Sequence, residues 1–367
     1  MLRTIAAAAD ESGKNEGAIV KRIGIMLLAA LAVFATVATD VDAAPGDTLY
    51  MRPGQLVPAG DGARLNIYCM GSGSPAVVFD SGWEDWAPAW AVVQPRIAKW
   101  TRVCSYDRAG AGFSDAGPMP RTTVRIADEL HAALHNAHIT GPFILVGNAF
   151  GGDNVRAFAD RYMAEVAGLV LIEADASDVE PKDMQARDDQ GNLSHVPRLR
   201  NCRDAVAEGK KLPLLPSRSG QPDRTCNQQF FRGLPEAEWS PELNAKLLEL
   251  SKTKIALYDA YISEMEQVPW DETYLQQHVR SFGSRPIRVL TTGNHGVHHL
   301  TGAGETPEQV KYEEAVGQAQ AHWLQLSSNA RQLFVQQSSE YIEFDRPDAV
   351  VDAIRNVYDE SKQRPRD

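Results

Sequence analysis

Apolar residues fall along this chain in two alternating rhythms. The runs at 65–69, 76–79 and 102–106 are short and β-rich, each closed by a Gly-rich turn (GSGSP, DSGW, DRAGAG), and those at 143–146 and 166–172 are continuously apolar. Short runs of this kind predict strands buried on both faces. Residues 122–138 carry apolar positions at helical spacing, and 154–162, after a tight turn at 147–152, predicts a second helix. Strand, turn and helix in repetition predict an α/β fold with a parallel sheet covered by helices. The rhythm breaks over 179–284, a polar, Pro-rich stretch that ends in two amphipathic helices at 241–252 and 255–266. It returns as a strand at 286–291 (PIRVLT), a helix at 308–326, a strand at 332–336 and a last helix at 349–358. The predicted organisation is one α/β core in two parts, 44–178 and 285–367, interrupted by a cap-like helical insertion at 179–284.

The amino end follows neither rhythm. Lys21 and Arg22 precede an apolar stretch at 23–38, and Val41 and Ala43 supply small residues at the −3 and −1 positions of a cleavage site. This is the layout of a secretory signal peptide over 1–43, and the apolar run is short for a membrane span of roughly 20 residues. The expected location is therefore secreted or periplasmic, with no stable membrane insertion after cleavage. An oxidising compartment makes four cysteines candidates for disulfides, in three pairings. Cys202 and Cys226 share one polar segment and predict a local loop closure. Cys69 and Cys104 sit in two separate strand-like runs, and are either bonded across neighbouring strands or buried free thiols. There is no CxxC spacing, and neither a metal nor a cofactor is implied. With 37 basic against 48 acidic residues and a net charge of −11, the chain lacks the basic footprint of a nucleic-acid binder. At 43% hydrophobic, with Trp 7, Tyr 10 and Phe 11, it is neither disordered nor polytopic.

The turn after the fourth run carries the chemical information. ILVG is followed by Asn148-Ala149-Phe150-Gly151 and a helix. This is the outline of a nucleophile elbow, Gly-x-Ser-x-Gly, with alanine at the centre. On this turn and three further segments, SPAVVFDSGWEDWAPAW, TRVCSYDRAGAGFSD and RQLFVQQSSEYIEFDRPDAVVDAI, the chain resembles the α/β-hydrolase superfamily, in its exported esterase, lipase and dehalogenase-like branch. The resemblance extends over about 61–357. It implies that the strands holding Cys69 and Cys104 are neighbours, which favours a disulfide there.

The resemblance also assigns roles. Ala149 stands at the nucleophile position, Glu340 at the catalytic-histidine position, and Glu173 at the acid position, with Asp175 and Asp178 as rivals and Asn294 where another branch places its acid. Backbone N–H groups of Trp83 and Phe150 match an oxyanion hole. Asn148, Trp83 and Phe150 are ligand-binding candidates, with Trp86 and Trp90 as further apolar walls. Alanine has no lone pair to attack a carbonyl, and a carboxylate is a poor substitute for imidazole near pH 7. Other side chains considered for chemistry are His295, His298 and His299 in one loop, Ser338 and Ser339 beside Glu340, and Asp80, Glu84 and Asp85 near the oxyanion loop; each also reads as ordinary turn or loop solvation. Three functions follow: a degenerate hydrolase binding a small apolar molecule, an enzyme with an unconventional acid/base pair, or a serine esterase with its nucleophile removed.

Overall fold

The computed structural model describes residues 47–83, 85–174, 182–215, 223–230, 239–278, 280–293 and 307–363. The expected signal peptide, Glu84, Asp175, Asp178, Asn294 and the three histidines at 295, 298 and 299 lie outside them.

Eight strands form one sheet. Their chain order is β1 (Gln55–Pro58), β2 (Arg64–Met70), β3 (Ala76–Asp80), β4 (Val103–Asp107), β5 (Phe143–Asn148), β6 (Val166–Ile172), and, beyond a two-residue pair β7 (Leu214–Leu215) and β8 (Arg224–Thr225), β9 (Ile287–Thr292) and β10 (Ala330–Val335). In space the order is β1-β2-β4-β3-β5-β6-β9-β10. β2 runs antiparallel to β1 and β4, and every pair from β4 to β10 is parallel. The sheet steps outward from β3 to β4 and then returns across β3 to β5. The loops leaving β3 and β5 therefore diverge at one carboxyl edge, the switch point where α/β sheets place ligands.

The uninterrupted apolar runs are explained by burial on both faces. Val77, Phe79, Ile144, Val146, Val170 and Ile172 face one apolar layer, and Val78, Leu145, Leu169 and Leu171 face the other. Helices α1 (Thr123–Asn136) and α2 (Phe150–Arg161) cover the second face through Leu130, Leu134, Val155 and Phe158. Between β6 and β9 run α3 (Lys182–Ala207), α4 (Pro241–Thr253) and α5 (Ile255–Gln277); α6 (Pro307–Gln320) and α7 (Pro347–Gln363) complete the chain. Leu243, Leu257 and Tyr258 from α4 and α5, and Val350, Ile354 and Val357 from α7, belong to the same apolar layer as Phe79 and Ile172.

The predicted strands depart from the periodicity by no more than two residues, β1, β7 and β8 add to them, and several helices depart further: α6 ends at Gln320, short of 326, and α7 runs on to Gln363. α2 begins at Phe150, not at 154, because the chain enters the helix directly from the elbow. α5 continues through Pro269 to Gln277, past the predicted end at 266. α3 occupies part of the polar stretch, through Pro197, where no helix was expected. It is held by tertiary contacts: Leu199 and Cys202 are fully buried, and Arg200 and Arg203 pair with Glu266 and Asp259 of α5 at 2.5 and 2.9 Å.

Both cysteine pairs are disulfides. Cys69 and Cys104 face each other in the β2–β4 register with Cα atoms 4.1 Å apart, and Cys202 on α3 is bonded to Cys226. No helix among the described residues is long and apolar enough to cross a membrane.

Candidate functional site

The carboxyl edge of the sheet at the switch point is built around Ala149. Its backbone has φ +46° and ψ −124°, a region that L residues avoid. Such a conformation costs about 1–3 kcal/mol and persists only where its surroundings enforce it. Here they do. Ala149 N donates to Ile172 O at 3.0 Å and Gly152 N to Ala149 O at 2.8 Å. A Cβ on Gly147 would lie 2.4 Å from Gly151 O, and one on Gly151 would lie 2.4 Å from Asp80 O. Only glycine fits at either position. The Ala149 methyl faces the loop after β3, with Gly82 beside it. Asn148 is buried: its amide donates to Ile172 O at 3.2 Å and its Oδ1 lies against Gly82, so the side chain braces the turn.

Phe150 is the first residue of α2, so its N–H belongs to a helix start that attracts negative charge. Its ring stacks on Trp83 with centroids 5.1 Å apart, forming a shared apolar wall. Trp83 Nε1 is buried with no hydrogen-bond partner among the described residues. Trp86 and Trp90 are fully in the core, where Trp90 stacks on Phe79 and donates to Ser81 Oγ at 2.9 Å.

Arg108 shapes this loop. Its Nη1 donates to Asp80 Oδ1 (3.0 Å) and Ser81 O (2.6 Å), and its Nη2 to Gly82 O (2.8 Å). On its other side it meets Glu264 of α5, Nε to Oε1 at 3.2 Å. Tyr106 and Asn154 donate to Asp80 at 2.5 and 3.3 Å. Burial pushes the Asp80 carboxyl above its ordinary range, against the opposing pull of Arg108 and these hydrogen bonds. Its ion pair with Arg108 at 3.0 Å makes Asp80 an internal counter-ion. Asp85 is also buried.

Glu173 follows β6 with φ +44°. Its backbone N–H donates to Leu290 O at 2.9 Å, and its carboxylate accepts from Thr292 N and from Gln320 Nε2 (3.4 Å). Thr292 Oγ1 donates to Ser338 O at 2.6 Å, tying the loop after β9 to the loop after β10. Ser338 Oγ donates to Ser339 O, and Ser339 donates through both N and Oγ to Asp345 Oδ2 at 2.7 Å. Both serine hydroxyls are thus engaged within their own loop. Glu340, next in line, is exposed. The ends of β5, β6, β9 and β10 accordingly gather Ala149, Glu173, Thr292 and the segment carrying Glu340 along one edge.

The family-level description of the alpha/beta hydrolase fold matches residues 75–268, more than half of the chain. The chain belongs to the alpha/beta hydrolase family. As an alpha/beta hydrolase it is similar to the 2-hydroxy-6-oxo-2,4-heptadienoate hydrolase of Pseudomonas putida, 31% identical over 163 residues, 43% of this chain and 58% of that one. It is also similar to an uncharacterized protein of Schizosaccharomyces pombe, 39% identical over 82 residues, 22% of this chain and 15% of that one. The chain thus spans less than two thirds of these curated relatives. Among solved structures, an esterase of Thermogutta terrifontis aligns with TM-score 0.53 and 19% identity, covering 84% of this chain and 99% of the esterase. The epoxide hydrolase CorEH aligns with TM-score 0.57 and 16% identity, covering 83% and 97%. At such identities the likeness is one of fold.

Two contributors to this alpha/beta hydrolase site were not singled out in the sequence. Arg108 lies in the DRAGAG turn, where the motif was visible and the role of its arginine was not. Glu264 is 156 positions further along the chain, and its partnership with Arg108 exists only once α5 has docked.

Proposed function

We propose that this chain is an alpha/beta-hydrolase-fold protein, related to serine ester and amide hydrolases, that binds a small apolar ligand at the β3–β5 edge and does not hydrolyse it through an acyl-enzyme. Ala149 carries this reading. The strained elbow is complete, yet the side chain it presents has no atom that can attack. Glu340 supports it, since an exposed carboxylate in the loop after β10 offers no imidazole to move a proton. Glu173 holds the acid position, its carboxylate already engaged by Thr292 and Gln320. Backbone N–H groups of Trp83 and Phe150 remain to polarise a ligand oxygen, and their stacked rings give the ligand an apolar wall. The two disulfides support a location outside the reducing cytosol, in keeping with export through a cleaved leader.

The test is hydrolysis of a short-chain aryl ester by the unmodified chain, Ala149→Ser, Glu340→His and the double variant. The unmodified chain is expected to show no more than the about 10³–10⁴-fold acceleration that binding and an oxyanion hole provide without a triad. Only the double variant should regain burst kinetics. Burst turnover by the unmodified chain would overturn the reading, and full recovery in Ala149→Ser alone would favour a serine esterase deprived of its nucleophile.

A further inference from the structure

On the second face of the sheet, at the opposite edge from Ala149, two histidines and a carboxylate converge. His131 and His135 stand four residues apart on α1 and so project from one side of the helix. Glu165 belongs to the short turn Met163–Glu165 that leads into β6. Its Oε1 lies 2.9 Å from His131 Nε2 and its Oε2 lies 2.8 Å from His135 Nε2. Ligand atoms of all three residues lie within 4.8 Å of one another.

We propose that His131, His135 and Glu165 bind a divalent transition-metal ion of the zinc class, with water completing the coordination. Two imidazoles and one carboxylate form a donor set suited to Zn²⁺, Co²⁺ or Ni²⁺ and poorly suited to Mg²⁺ or Ca²⁺, which prefer oxygen throughout. The donors arrive from two separate elements, so one ion would close them into a single ring. In a tetrahedral site with bonds of about 2.0–2.1 Å the donor atoms stand about 3.4 Å apart.

The surroundings support the same reading. The His131 ring lies flat on Tyr162, with centroids 3.6 Å apart and planes 1° from parallel, which fixes the imidazole plane. Tyr162 is fixed in turn: its hydroxyl donates to Asp128 Oδ1 at 2.7 Å, and Arg161 grips the same carboxylate at 2.6 and 2.9 Å. A backing layer that orients a ligand is the usual companion of a metal site. His131 and Glu165 are mostly covered and His135 is 45% exposed at the side chain, which leaves an open side for the ion and its water. β6 separates the cluster from Glu173 by seven residues, or about 23 Å of strand, so the ion would staple α1 to the sheet and take no part in chemistry at the elbow. The proposal does not depend on how the elbow functions.

The test uses the full chain, stripped with EDTA and titrated with Zn²⁺ or Co²⁺ alone. One equivalent should bind, with a Co²⁺ visible absorption band and a rise in thermal midpoint of about 2–5 °C. His135→Gln is exposed and leaves the core intact; it should weaken binding beyond the about 10–100-fold lost with a mere outer partner. Glu165→Gln should do the same, while His278→Gln should leave affinity unchanged. Failure to bind Co²⁺ or Zn²⁺ at sub-millimolar concentration, or equal binding by His135→Gln, would overturn the proposal. A thermal shift with Mg²⁺ that matches the shift with Zn²⁺ would overturn it too.

Discussion

The guanidinium of Arg108 is the residue on which the candidate site most depends. It is buried, it binds two loop carbonyls and two carboxylates, and it lies over the Phe150 ring with Cζ 5.5 Å from the centroid. Removing one partner of a buried ion pair typically costs about 3–5 kcal/mol, because the remaining charge stays buried. Arg108→Met should lower stability by that amount in urea denaturation. Arg108→Lys should recover little of it, since a single ammonium cannot reach Ser81, Gly82 and Glu264 together. Ala149 behaves in the opposite way. Glycine accepts its backbone angles without strain, so Ala149→Gly removes about 1–3 kcal/mol of strain and adds about 0.5–1 kcal/mol of unfolded-state entropy. The net expectation is a gain of about 1 kcal/mol, read as a higher denaturation midpoint. An unchanged or lower midpoint would mean that the elbow is relaxed.

Between elements, the most consequential contact is the one by which α5 caps α1. Asp271 Oδ1 accepts from Thr123 N and Oγ1, both at 3.0 Å, at the start of α1. Burial raises its pKa to about 7, with Glu264 and Glu272 adding in the same direction and the Thr123 hydrogen bonds opposing. The folded-state pKa thus lies above the unfolded value. Folding is favoured by this group at acid pH, and that contribution is lost as pH rises from about 4 through about 7. Asp271→Asn keeps the acceptor and loses the charge, so it should raise stability at pH 8 by on the order of 3 kcal/mol and leave it nearly unchanged at pH 4. Thermal melts at both pH values check this. The same helix marks the limit of what periodicity could disclose. Strands buried on both faces announce themselves through uninterrupted apolar runs, and the elbow through its glycines. α3 and the second half of α5 contain prolines and polar residues that signal a break. Their helicity comes from Leu199, Cys202 and ion pairs to another helix, which are contacts with no local signature. The roles of Asp271 and Glu264 were hidden for the same reason.

At the scale of the whole fold, the described residues form one compact unit, and the apolar layer over the sheet runs without a break into α4 and α5. The segment between β6 and β9 should therefore unfold together with the sheet, in one transition by both near- and far-ultraviolet circular dichroism. The Cys202–Cys226 bond closes a loop with a sequence separation of 24. Its loss in the Cys202→Ser/Cys226→Ser double variant should cost about 3 kcal/mol and lower the midpoint without splitting the transition. The seam between the two parts is tight as well as continuous: a Cβ on Gly110, which has φ +94°, would meet Ala260 Cβ at 2.6 Å and Ala256 O at 2.7 Å. Such fit limits how this protein can be recombined. A helical segment transplanted from another alpha/beta hydrolase would have to bring small residues opposite Gly110 and a carboxylate opposite Arg108. Without that carboxylate, the buried guanidinium would keep Asp80 as its one ion-pair partner and lose the pair that ties the helix to the Ser81–Gly82 loop. The DRAGAG turn and the helix facing it are thus a single unit of exchange, although 156 positions separate Arg108 from Glu264.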